Sequence, residues 1–321
     1  MKLSVVIPIY NEEENINPLY DELKGVIVPL EHDHEVIFVD DGSSDSSLAL
    51  LEKIQAQDKN VVVVSFRRNF GQTAAMSAGF DHASGDVIVT MDGDMQNDPH
   101  DIPKFLAKME GGYELVSGWR YKRQDPFLNR RLPSMIANKI ISLVTGVHLH
   151  DYGCTLKTFR KEITQGIHLY GEMHRFIPAI ASGVGGRIAE VRANHRPRRF
   201  GTSKYGISRT LRVILDLTTV KFLLSYGTRP IHVFGMLGLV SGGAGFFIAL
   251  IMTIQKLFFH VGMGDRPLLL LAILLMFMGM QFISIGLLGE LQVRTYHESQ
   301  NKPIYVVRKV LSTRQQKEKN S

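Results

Sequence analysis

Two long apolar runs near the carboxyl end are the feature that most constrains this chain. Residues 231–255 and 267–289 contain no Asp, Glu, Lys or Arg. As a helix, each run is long enough to cross about 30 Å of hydrocarbon. A helix buried in a large soluble core is the alternative, but two such runs in succession disfavour it. The sequence therefore predicts a hairpin of two transmembrane helices.

The residues ahead of these runs have the pattern of an α/β domain. The chain is 321 residues long, which leaves room for one large domain besides the hairpin. Apolar runs at residues 3–9, 35–39, 61–65 and 87–91 alternate with segments of helical spacing. Strands that alternate with helices predict a doubly wound, mostly parallel sheet.

The composition changes along the chain predict four parts. We expect a cytoplasmic domain over 1–206, an amphipathic juxtamembrane helix over 207–228, the two membrane helices within 229–290, and a cytoplasmic tail over 291–321. The last dozen residues are polar and rich in Lys and Gln, so they are expected to be disordered.

The charge distribution and the cysteine content predict the cellular compartment and the partners of the chain. The single Cys154 excludes an internal disulfide, which fits a reducing compartment, and the amino-terminal apolar run is too short for a signal peptide. Basic residues flank both sides of the hairpin, so the domain and both termini are expected on the cytoplasmic face of the cell membrane. The net charge of +6 is explained by attraction to anionic lipid headgroups and to phosphorylated substrates. No nucleic-acid motif occurs, so no nucleic-acid partner is expected. Glycines in the first run permit close helix contact, so a homo-oligomer is one expectation.

Carboxylates follow three of the predicted strands. Asp92 and Asp94 follow the fourth strand, and two oxygen donors at one point suit Mg²⁺ or Mn²⁺. A turn with solvated carboxylates is the alternative. Glu12 follows the first strand, and Asp40 and Asp41 follow the second. Ligands of such sheets bind beyond the carboxyl ends of the strands, so these acids predict one site. Neither a Gly-x-Gly-x-x-Gly turn nor a P-loop occurs, which disfavours a dinucleotide oxidoreductase and a P-loop ATPase.

The motifs at these strand ends resemble those of family 2 inverting glycosyltransferases. They are Ser4-Val-Val-Ile-Pro-Ile-Tyr-Asn-Glu12, Val39-Asp-Asp-Gly-Ser-Ser-Asp45 and Met91-Asp-Gly-Asp-Met-Gln96. Later motifs, together with the hairpin, are similar to those of the polyprenyl-phosphate glycosyltransferases, especially the bactoprenol glucosyltransferases and more distantly the dolichyl-phosphate mannose synthases. These later motifs are Ser117–Arg120, Arg130–Ser134, Asp151–Lys157, Gly171–Pro178 and Arg199–Tyr205. The resemblance implies a nucleotide-sugar domain of the GT-A type.

The resemblance also implies the donor side of the site. It places Asp92, Asp94 and Gln96 around a divalent cation that neutralises the diphosphate leaving group. The residues implied in binding the nucleotide sugar are Pro8, Tyr10, Asn11, Glu12, Asp40, Asp41, Asp92, Gly93, His174, Arg175, Arg199 and Lys204. For Asp40 and Asp41 the alternative is helix capping, which Ser43 or Ser44 can already supply.

The acceptor side follows from the chemistry of a lipid phosphate. Such a phosphate is already ionised near neutral pH, so it needs positioning more than a general base. Guanidinium groups match phosphate oxygens, so arginines of two motifs could position the lipid phosphate, and the resemblance adds a serine. These residues are Arg120, Arg130, Arg131 and Ser134. A solvated basic face is the alternative, and either Arg130 or Arg131 could face the phosphate. Asp151 remains open between a base, an orienting group for arginine and a structural cap.

The sequence thus predicts an enzyme that transfers a hexose to a polyprenyl phosphate with inversion. The first candidate is glucose from UDP-glucose, moved onto undecaprenyl phosphate. The alternatives are another donor such as GDP-mannose, or a membrane-anchored protein that binds a nucleotide sugar without turnover. A processive polysaccharide synthase is disfavoured because two helices form no obvious channel and a Gln-x-x-Arg-Trp motif is missing.

Overall fold

A computed structural model gives the protein as two compact units, one formed by Met1–Val220 with Pro303–Ser321 and the other by Lys221–Lys302. The structure describes residues 1–121, 132–167, 169, 173–197, 217, 231–259, 267–299 and 304–313. The predicted amphipathic helix over 207–228 lies outside the described residues except for Leu217.

The first unit alternates strands and helices along the chain. Its strands are β1 (Lys2–Ile9), β2 (Asp33–Asp40), β3 (Val61–Phe66), β4 (Val87–Thr90), β5 (Leu115–Arg120), β6 (Lys157–Arg160), β7 (Ile188–Ala193) and β8 (Val307–Leu311). Its helices are α1 (Glu13–Ile27), α2 (Ser47–Gln57), α3 (Gln72–His82), α4 (Ile102–Glu110), α5 (Leu132–Thr145), α6 (Lys161–Gln165) and α7 (Ile177–Gly183). In the described part of this unit, short 3₁₀ helices lie at Val28–Leu30, Pro99–Asp101 and Met173–Arg175.

The eight strands form one sheet in the order β7-β5-β6-β4-β1-β2-β3-β8. Strand β1 pairs in parallel with β2 and β4, β2 pairs in parallel with β3, and β5 pairs in parallel with β7. The chain moves outward from β1 to β3 on one side and returns to β4 on the other, so the topological switch point lies between β1 and β4. The predicted doubly wound, mostly parallel sheet is confirmed.

Both faces of the central strands are buried, as the continuous apolar runs predicted. Val5, Val6 and Ile7 of β1 are each 0% exposed. Val6 belongs to a cluster with alanines of α3, whereas Val5 and Ile7 belong to a cluster with apolar residues of α1. The two helices therefore cover opposite faces of the sheet and hold the end of β1 in place.

Strand β6 is antiparallel to both of its neighbours, β4 and β5. Its first residue, Lys157, lies opposite Thr90 of β4 and Ser117 of β5. The loop that leads into β6 therefore arrives beside the carboxyl end of β4. No local sequence pattern indicates this placement, because it depends on pairing between distant segments.

Strand β8 lies in the predicted cytoplasmic tail and extends into the first of the last dozen residues, which were expected to be disordered. Residues Val307–Leu311 pair antiparallel with β3, and residues 314–321 lie outside the described residues. Just ahead of the strand, Tyr305 stacks on Phe66 with ring centroids 5.0 Å apart and donates a hydrogen bond of 2.7 Å to Asp81. The strand was missed because two charged residues interrupt a five-residue apolar run. The tail therefore adds an edge strand to the sheet.

The second unit contains two long helices, α8 (Ile231–Phe259) and α9 (Pro267–Ser299). Both are long and apolar enough to cross a membrane. A Cβ atom on Gly238 would lie 2.7 Å from the carbonyl oxygen of Gly279, and one on Gly245 would lie 2.6 Å from that of Ala272. Glycine is therefore needed where the two helices touch. Helix α9 continues to Ser299, past the predicted end of the membrane segment at residue 290.

Two glycines provide a matched test of packing. A Cβ atom on Gly79 of α3 would lie 2.1 Å from Cγ1 of buried Val6, whereas one on Gly25 of α1 meets nothing within 4 Å. We expect Gly79→Ala to destabilise the protein by about 1–3 kcal/mol through overpacking. Gly25→Ala should instead stabilise it by about 0.5–1 kcal/mol through helix propensity. Thermal unfolding of the purified protein in detergent measures both changes, and a stabilised Gly79→Ala variant would contradict the packing described.

Candidate functional site

The site lies where the carboxyl ends of β1 and β4 meet, at the switch point of the sheet. The loop after β1 is joined to the loop after β2. The Asn11 amide donates to Ser43 Oγ over 3.0 Å, and the Ser44 amide donates to Asn11 Oδ1 over 2.8 Å. Asn11 has φ 53°, a left-handed conformation that asparagine tolerates. The predicted capping of α2 by Ser43 or Ser44 is wrong, because both residues bind the β1 loop and Ser46 precedes the helix.

Glu12 lies in the same junction. Its amide donates to Ser47 Oγ over 3.0 Å, and its carboxylate accepts from Asn15 Nδ2 over 2.7 Å. Ser47 is the first residue of α2. The end of β1 is therefore fixed against α2, and Tyr10 lies beside it, half-buried. The predicted contacts of Tyr10 and Glu12 with a nucleotide sugar stay predictions.

Asp40 and Asp41 tie the loop after β2 to its neighbours. Asp40 accepts from the Ser43 amide over 3.0 Å and from Ser65 Oγ over 2.9 Å. Asp41 accepts from the backbone amides of Phe70 and Gly71 over 2.7 and 2.9 Å. Burial raises the pKa of Asp41 to about 6, against the effect of these amides. Both acids thus shape the loops, and their predicted contact with the nucleoside stays a prediction.

Asp92 is held by three hydrogen bonds from three different parts of the chain. Its carboxylate accepts from Gln72 Nε2 over 2.8 Å and from Thr155 Oγ1 over 2.6 Å. Its own amide donates to Asn97 Oδ1 over 2.8 Å. Burial, with the nearby charge of Asp94, raises the pKa of Asp92 to about 6. Asp94 is buried and Asp92 is partly exposed, and the charge of Asp94 opposes the ionisation of Asp92.

A turn that carries Asp94 and Gln96 follows β4, which ends at Thr90, one residue before the end of the predicted apolar run. Asp94 is 7% exposed and accepts from the Gln96 amide over 3.1 Å. Gly93 is required where the turn crosses β1, since a Cβ atom there would lie 2.5 Å from Cδ1 of Ile9 and 3.1 Å from the carbonyl oxygen of Pro8. The predicted site residues Pro8 and Gly93 thus pack against each other.

These residues fit a divalent cation. Carboxylate oxygens are the donors that Mg²⁺ and Mn²⁺ prefer, and the mutual repulsion of Asp92 and Asp94 is relieved when a cation binds between them. Gln96 offers an amide oxygen, while its Nε2 donates to the Arg196 carbonyl over 3.4 Å. Asp92, Asp94 and Gln96 are therefore the residues that would hold the ion.

Arg120 and Asp151 form an ion pair at the other half of the site. Arg120 Nε and Nη2 donate to the two carboxylate oxygens of Asp151 over 2.6 and 2.9 Å. Burial acts to lower the pKa of Arg120, and the Asp151 charge reverses this, so the pKa lies above its ordinary value. Glu190 accepts from the Asp151 amide over 3.0 Å and supports the loop. A carboxylate bound in this way orients the guanidinium group.

Behind the site, His174 contacts Thr73 of α3, with 2.8 Å between Nδ1 and Oγ1. Burial, with the charges of Arg175 and Lys157, lowers the pKa of His174 to about 3, so the imidazole is neutral near pH 7. Lys157 is 2% exposed, and its ammonium group contacts the carbonyls of Tyr152 and Cys154. The predicted binding of the nucleotide sugar by His174 and Arg175 stays a prediction.

Several predicted residues lie outside the described part of the chain. These are Arg130, Arg131, Arg199 and Lys204. Ser134 lies in the first turn of α5, half-buried, immediately after the stretch that contains the paired arginines.

Sequence reasoning missed the residues that position the carboxylates. They are Gln72, Asn97, Thr155 and Lys157. Thr155 lies within a recognised motif, but only the antiparallel placement of β6 brings it to Asp92. Gln72 begins α3 after the loop bound by Asp41, a position that gives no signal without the sheet order.

A second cluster of possible ligands lies next to the metal motif. Among the residues that the structure describes, Glu22, Asp98 and His100 place their ligand atoms within 4.8 Å of one another. Arg196 already binds both carboxylates, with Nη1 2.7 Å from Glu22 Oε1 and Nη2 2.6 Å from Asp98 Oδ1. The guanidinium group thus takes the position that a cation would need.

Known proteins of one family are similar to this chain. The family described as "Glycosyl transferase family 2" matches residues 4–167. The chain is 44% identical to a dodecaprenyl-phosphate galacturonate synthase of Rhizobium johnstonii, over 98% of this chain and 95% of that protein. It is 37% identical to an undecaprenyl-phosphate 4-deoxy-4-formamido-L-arabinose transferase of Proteus mirabilis, with the same coverage of 98% and 95%.

Solved structures with lower identity share the fold of the first unit. Mannosyl-3-phosphoglycerate synthase from Rubrobacter xylanophilus has a TM-score of 0.57 and 16% identity over 69% of this chain and 74% of that one. Glucosyl-3-phosphoglycerate synthase from Mycobacterium tuberculosis, solved with Mn²⁺ and uridine diphosphate, has a TM-score of 0.53 and 20% identity over 68% of this chain and 78% of that one. These similarities confirm the predicted GT-A type of fold.

The raised pKa of Asp92 predicts a pH-dependent affinity for the cation. Below pH 6 this carboxyl is protonated in the metal-free protein, so a cation must displace the proton. We expect the affinity for Mn²⁺ to fall about tenfold per pH unit below the pKa and to level off above about pH 7. Titration of free Mn²⁺ by electron paramagnetic resonance between pH 5 and 8 measures this.

Thr155→Val is the companion variant. The Thr155 hydroxyl lowers the pKa of Asp92, so its removal should move the transition to higher pH. An affinity that stays constant from pH 5 to 8 would show that Asp92 is not a ligand whose proton the metal displaces.

Proposed function

The chain belongs to glycosyl transferase family 2, and from this membership we propose that it transfers a sugar from a nucleotide-sugar donor to the phosphate of a polyprenyl phosphate. One observation carries the proposal: the chain combines a carboxylate site at the switch point of a GT-A sheet with two helices of bilayer length. The two relatives, which align over 98% of this chain, are named for dodecaprenyl and undecaprenyl phosphate.

On the donor side, the acids at the switch point would hold the cation that a departing diphosphate needs. A bound divalent cation, Mg²⁺ or Mn²⁺, supplies the charge compensation that the diphosphate needs as the glycosidic bond breaks. Gln72 and Thr155 orient the Asp92 carboxylate, and the turn at Gly93 sets Asp94 against the end of β1. Because these groups are held before the donor binds, little reorganisation is needed during the reaction.

On the acceptor side, Arg120 binds the lipid phosphate and Asp151 orients it. The ion pair engages Nε and Nη2 of Arg120, and Nη1 takes no part in it. The phosphate is an ionised nucleophile, so the reaction needs no general base. Attack on the face opposite the leaving diphosphate inverts the anomeric centre. We extend the acceptor site to Ser134 and to one of Arg130 and Arg131, as the resemblance implies.

The membrane helices bring this chemistry to a lipid acceptor. A polyprenyl tail stays in the bilayer, so its phosphate is presented at the surface. The hairpin begins after one part of the first unit and ends before another part of it, at β8. If both helices cross the membrane, the first unit lies on one side, and the basic flanks favour the cytoplasmic side. We propose this location for the catalytic unit and both termini.

The donor sugar is the finer part of the proposal. The sequence resemblance favours glucose from UDP-glucose, whereas the names of the two relatives specify galacturonate and 4-deoxy-4-formamido-L-arabinose. A panel of UDP-glucose, UDP-galacturonate, UDP-4-deoxy-4-formamido-L-arabinose and GDP-mannose, offered to the purified protein with undecaprenyl phosphate, identifies the donor by the mass of the lipid product. A protein that only binds the nucleotide sugar would release no nucleoside diphosphate with any of them.

Asp94→Asn tests the donor side. The change keeps the shape of the side chain but removes the charge that a cation needs, so we expect the transfer rate to fall by at least about a hundredfold. Asp21→Asn, at an exposed position of α1, is the matched control and should retain full activity. The measurement is release of nucleoside diphosphate with both substrates and Mn²⁺ or Mg²⁺. Full activity of Asp94→Asn would overturn the metal assignment.

Asp151→Asn separates an orienting role from that of a base. Loss of the charge that fixes Arg120 should raise KM for the lipid phosphate about tenfold or more while kcat changes less. A general base would instead lower kcat by about 10²–10⁴ at unchanged KM. Steady-state kinetics with the lipid acceptor varied at saturating donor distinguish the two results.

A further inference from the structure

The turn that carries the metal motif is strained. Met95, between Asp94 and Gln96, has φ 61° although it is not a glycine. A left-handed conformation of this kind costs about 1–3 kcal/mol for such a residue and persists only where its surroundings enforce it. The Met95 side chain is 4% exposed and packs in the core below the sheet edge, which fixes one side of the turn.

The other side of the turn is held by the segment after β7. The Arg196 amide donates to the Gln96 carbonyl over 3.0 Å, and Gln96 Nε2 donates to the Arg196 carbonyl over 3.4 Å. One residue earlier, His195 forms an antiparallel bridge with Asn97. Asn97 is the residue whose side chain accepts from the Asp92 amide. The segment after β7 therefore contacts Gln96, the last proposed ligand of the motif. It also contacts Asn97, whose side chain supports Asp92, the first proposed ligand.

The side chain of Arg196 anchors that segment. Its guanidinium group bridges Glu22 of α1, at 2.7 Å, and Asp98, at 2.6 Å. Asp98 also accepts from Asn194 Nδ2 over 2.8 Å. The anchor is thus a charged link between α1, the motif and the segment after β7.

We propose that Arg196 is a positioning residue of the cation site, which holds the strained Asp94-Met95-Gln96 turn through its backbone and is itself held by Glu22 and Asp98. The inference rests on the proposed metal-dependent function, because it assigns a role toward that metal. This role differs from the one predicted for Arg199 and Lys204, which lie outside the described residues and for which the sequence predicts contact with the diphosphate or with anionic lipid. Partners that orient the ligands of a metal typically contribute about 10–100-fold to its affinity.

The test measures Mn²⁺ binding to the full-length protein in detergent by electron paramagnetic resonance, first without any nucleotide and then with UDP. Arg196→Met keeps an unbranched side chain but removes the guanidinium group of the anchor, so Kd for Mn²⁺ alone should rise about tenfold or more. Arg196→Lys should restore only part of the affinity, since an ammonium group cannot span both carboxylates as a guanidinium fork does. Arg192→Met, four residues earlier at an exposed position of β7, is the matched control and should bind Mn²⁺ like the wild type.

Glu22→Gln supplies an independent variant, because it weakens the anchor from α1 without changing the motif or its flanking segment. It should raise Kd for Mn²⁺ by a smaller factor, and its effect should largely disappear in the Arg196→Met background. This second variant keeps the test decisive if Arg196→Met folds poorly.

Three results would overturn the inference. Unchanged Mn²⁺ affinity in both Arg196→Met and Glu22→Gln would show that the Asp94-Met95-Gln96 turn keeps its conformation without the Arg196 anchor. Weakened binding of UDP with unchanged affinity for Mn²⁺ would assign Arg196 to the diphosphate instead. A wild-type protein that binds neither Mn²⁺ nor Mg²⁺, even with UDP, would overturn the proposed metal-dependent function and the inference with it, and this result is distinct from the first two.

Discussion

Two carboxylates held close together at the end of a buried sheet are the constraint on which the rest of this structure depends. Like charges repel strongly where water is excluded, and burial together with the charge of Asp94 raises the pKa of Asp92 to about 6. Hydrogen bonds from Gln72 and Thr155 offset part of this cost. In the proposed metal-dependent function, a divalent cation would relieve the remaining unfavourable energy, and the arrangement of Asp92 and Asp94 would favour its binding.

The loops that surround these carboxylates support one another around the rim of the sheet. Each loop is hydrogen-bonded to the next, through Asn11 with Ser44, Asp41 with Gly71, Gln72 with Asp92, Asp92 with Thr155, and Asp151 with Arg120. Several of these loops contain left-handed residues, at Asn11, Gly42, Gly71 and Met95. Polar side chains that could have faced a ligand are thus partly used to hold backbone turns, as the two oxygens of Asp41 illustrate. The same acids serve folding and define the shape that a nucleotide sugar would meet.

Strands β1 to β4 were predictable because central parallel strands are buried on both faces and give unbroken apolar runs, as in Val87–Thr90. Acids at the ends of such strands must share one edge, so the position of Asp92 and Asp94 at that edge could be predicted without a structure. Strands β5 to β8 were not predicted. The contacts of Thr155 could not be predicted, since they depend on β6 pairing antiparallel between β4 and β5. Strand β8 was missed because two charged residues interrupt its apolar run, and its pairing with β3, more than 200 residues away along the chain, gives no local signal. Local patterns reveal which segments are strands, but not which distant strand lies beside them.

The loop ahead of β6 links the two halves of the proposed reaction. At its start Asp151 binds Arg120, and four residues later Thr155 binds Asp92. The backbone carbonyls of Tyr152 and Cys154 lie between these two residues. Both contact the ammonium group of buried Lys157, which limits the movement of the loop. Transfer with inversion requires the nucleophile and the leaving group to lie on opposite sides of one carbon atom, so their separation must be fixed. This short loop contacts both the proposed acceptor arginine, Arg120, and the proposed donor carboxylate, Asp92. In the proposed reaction it would fix their separation, although its motif lies far from β4 in sequence.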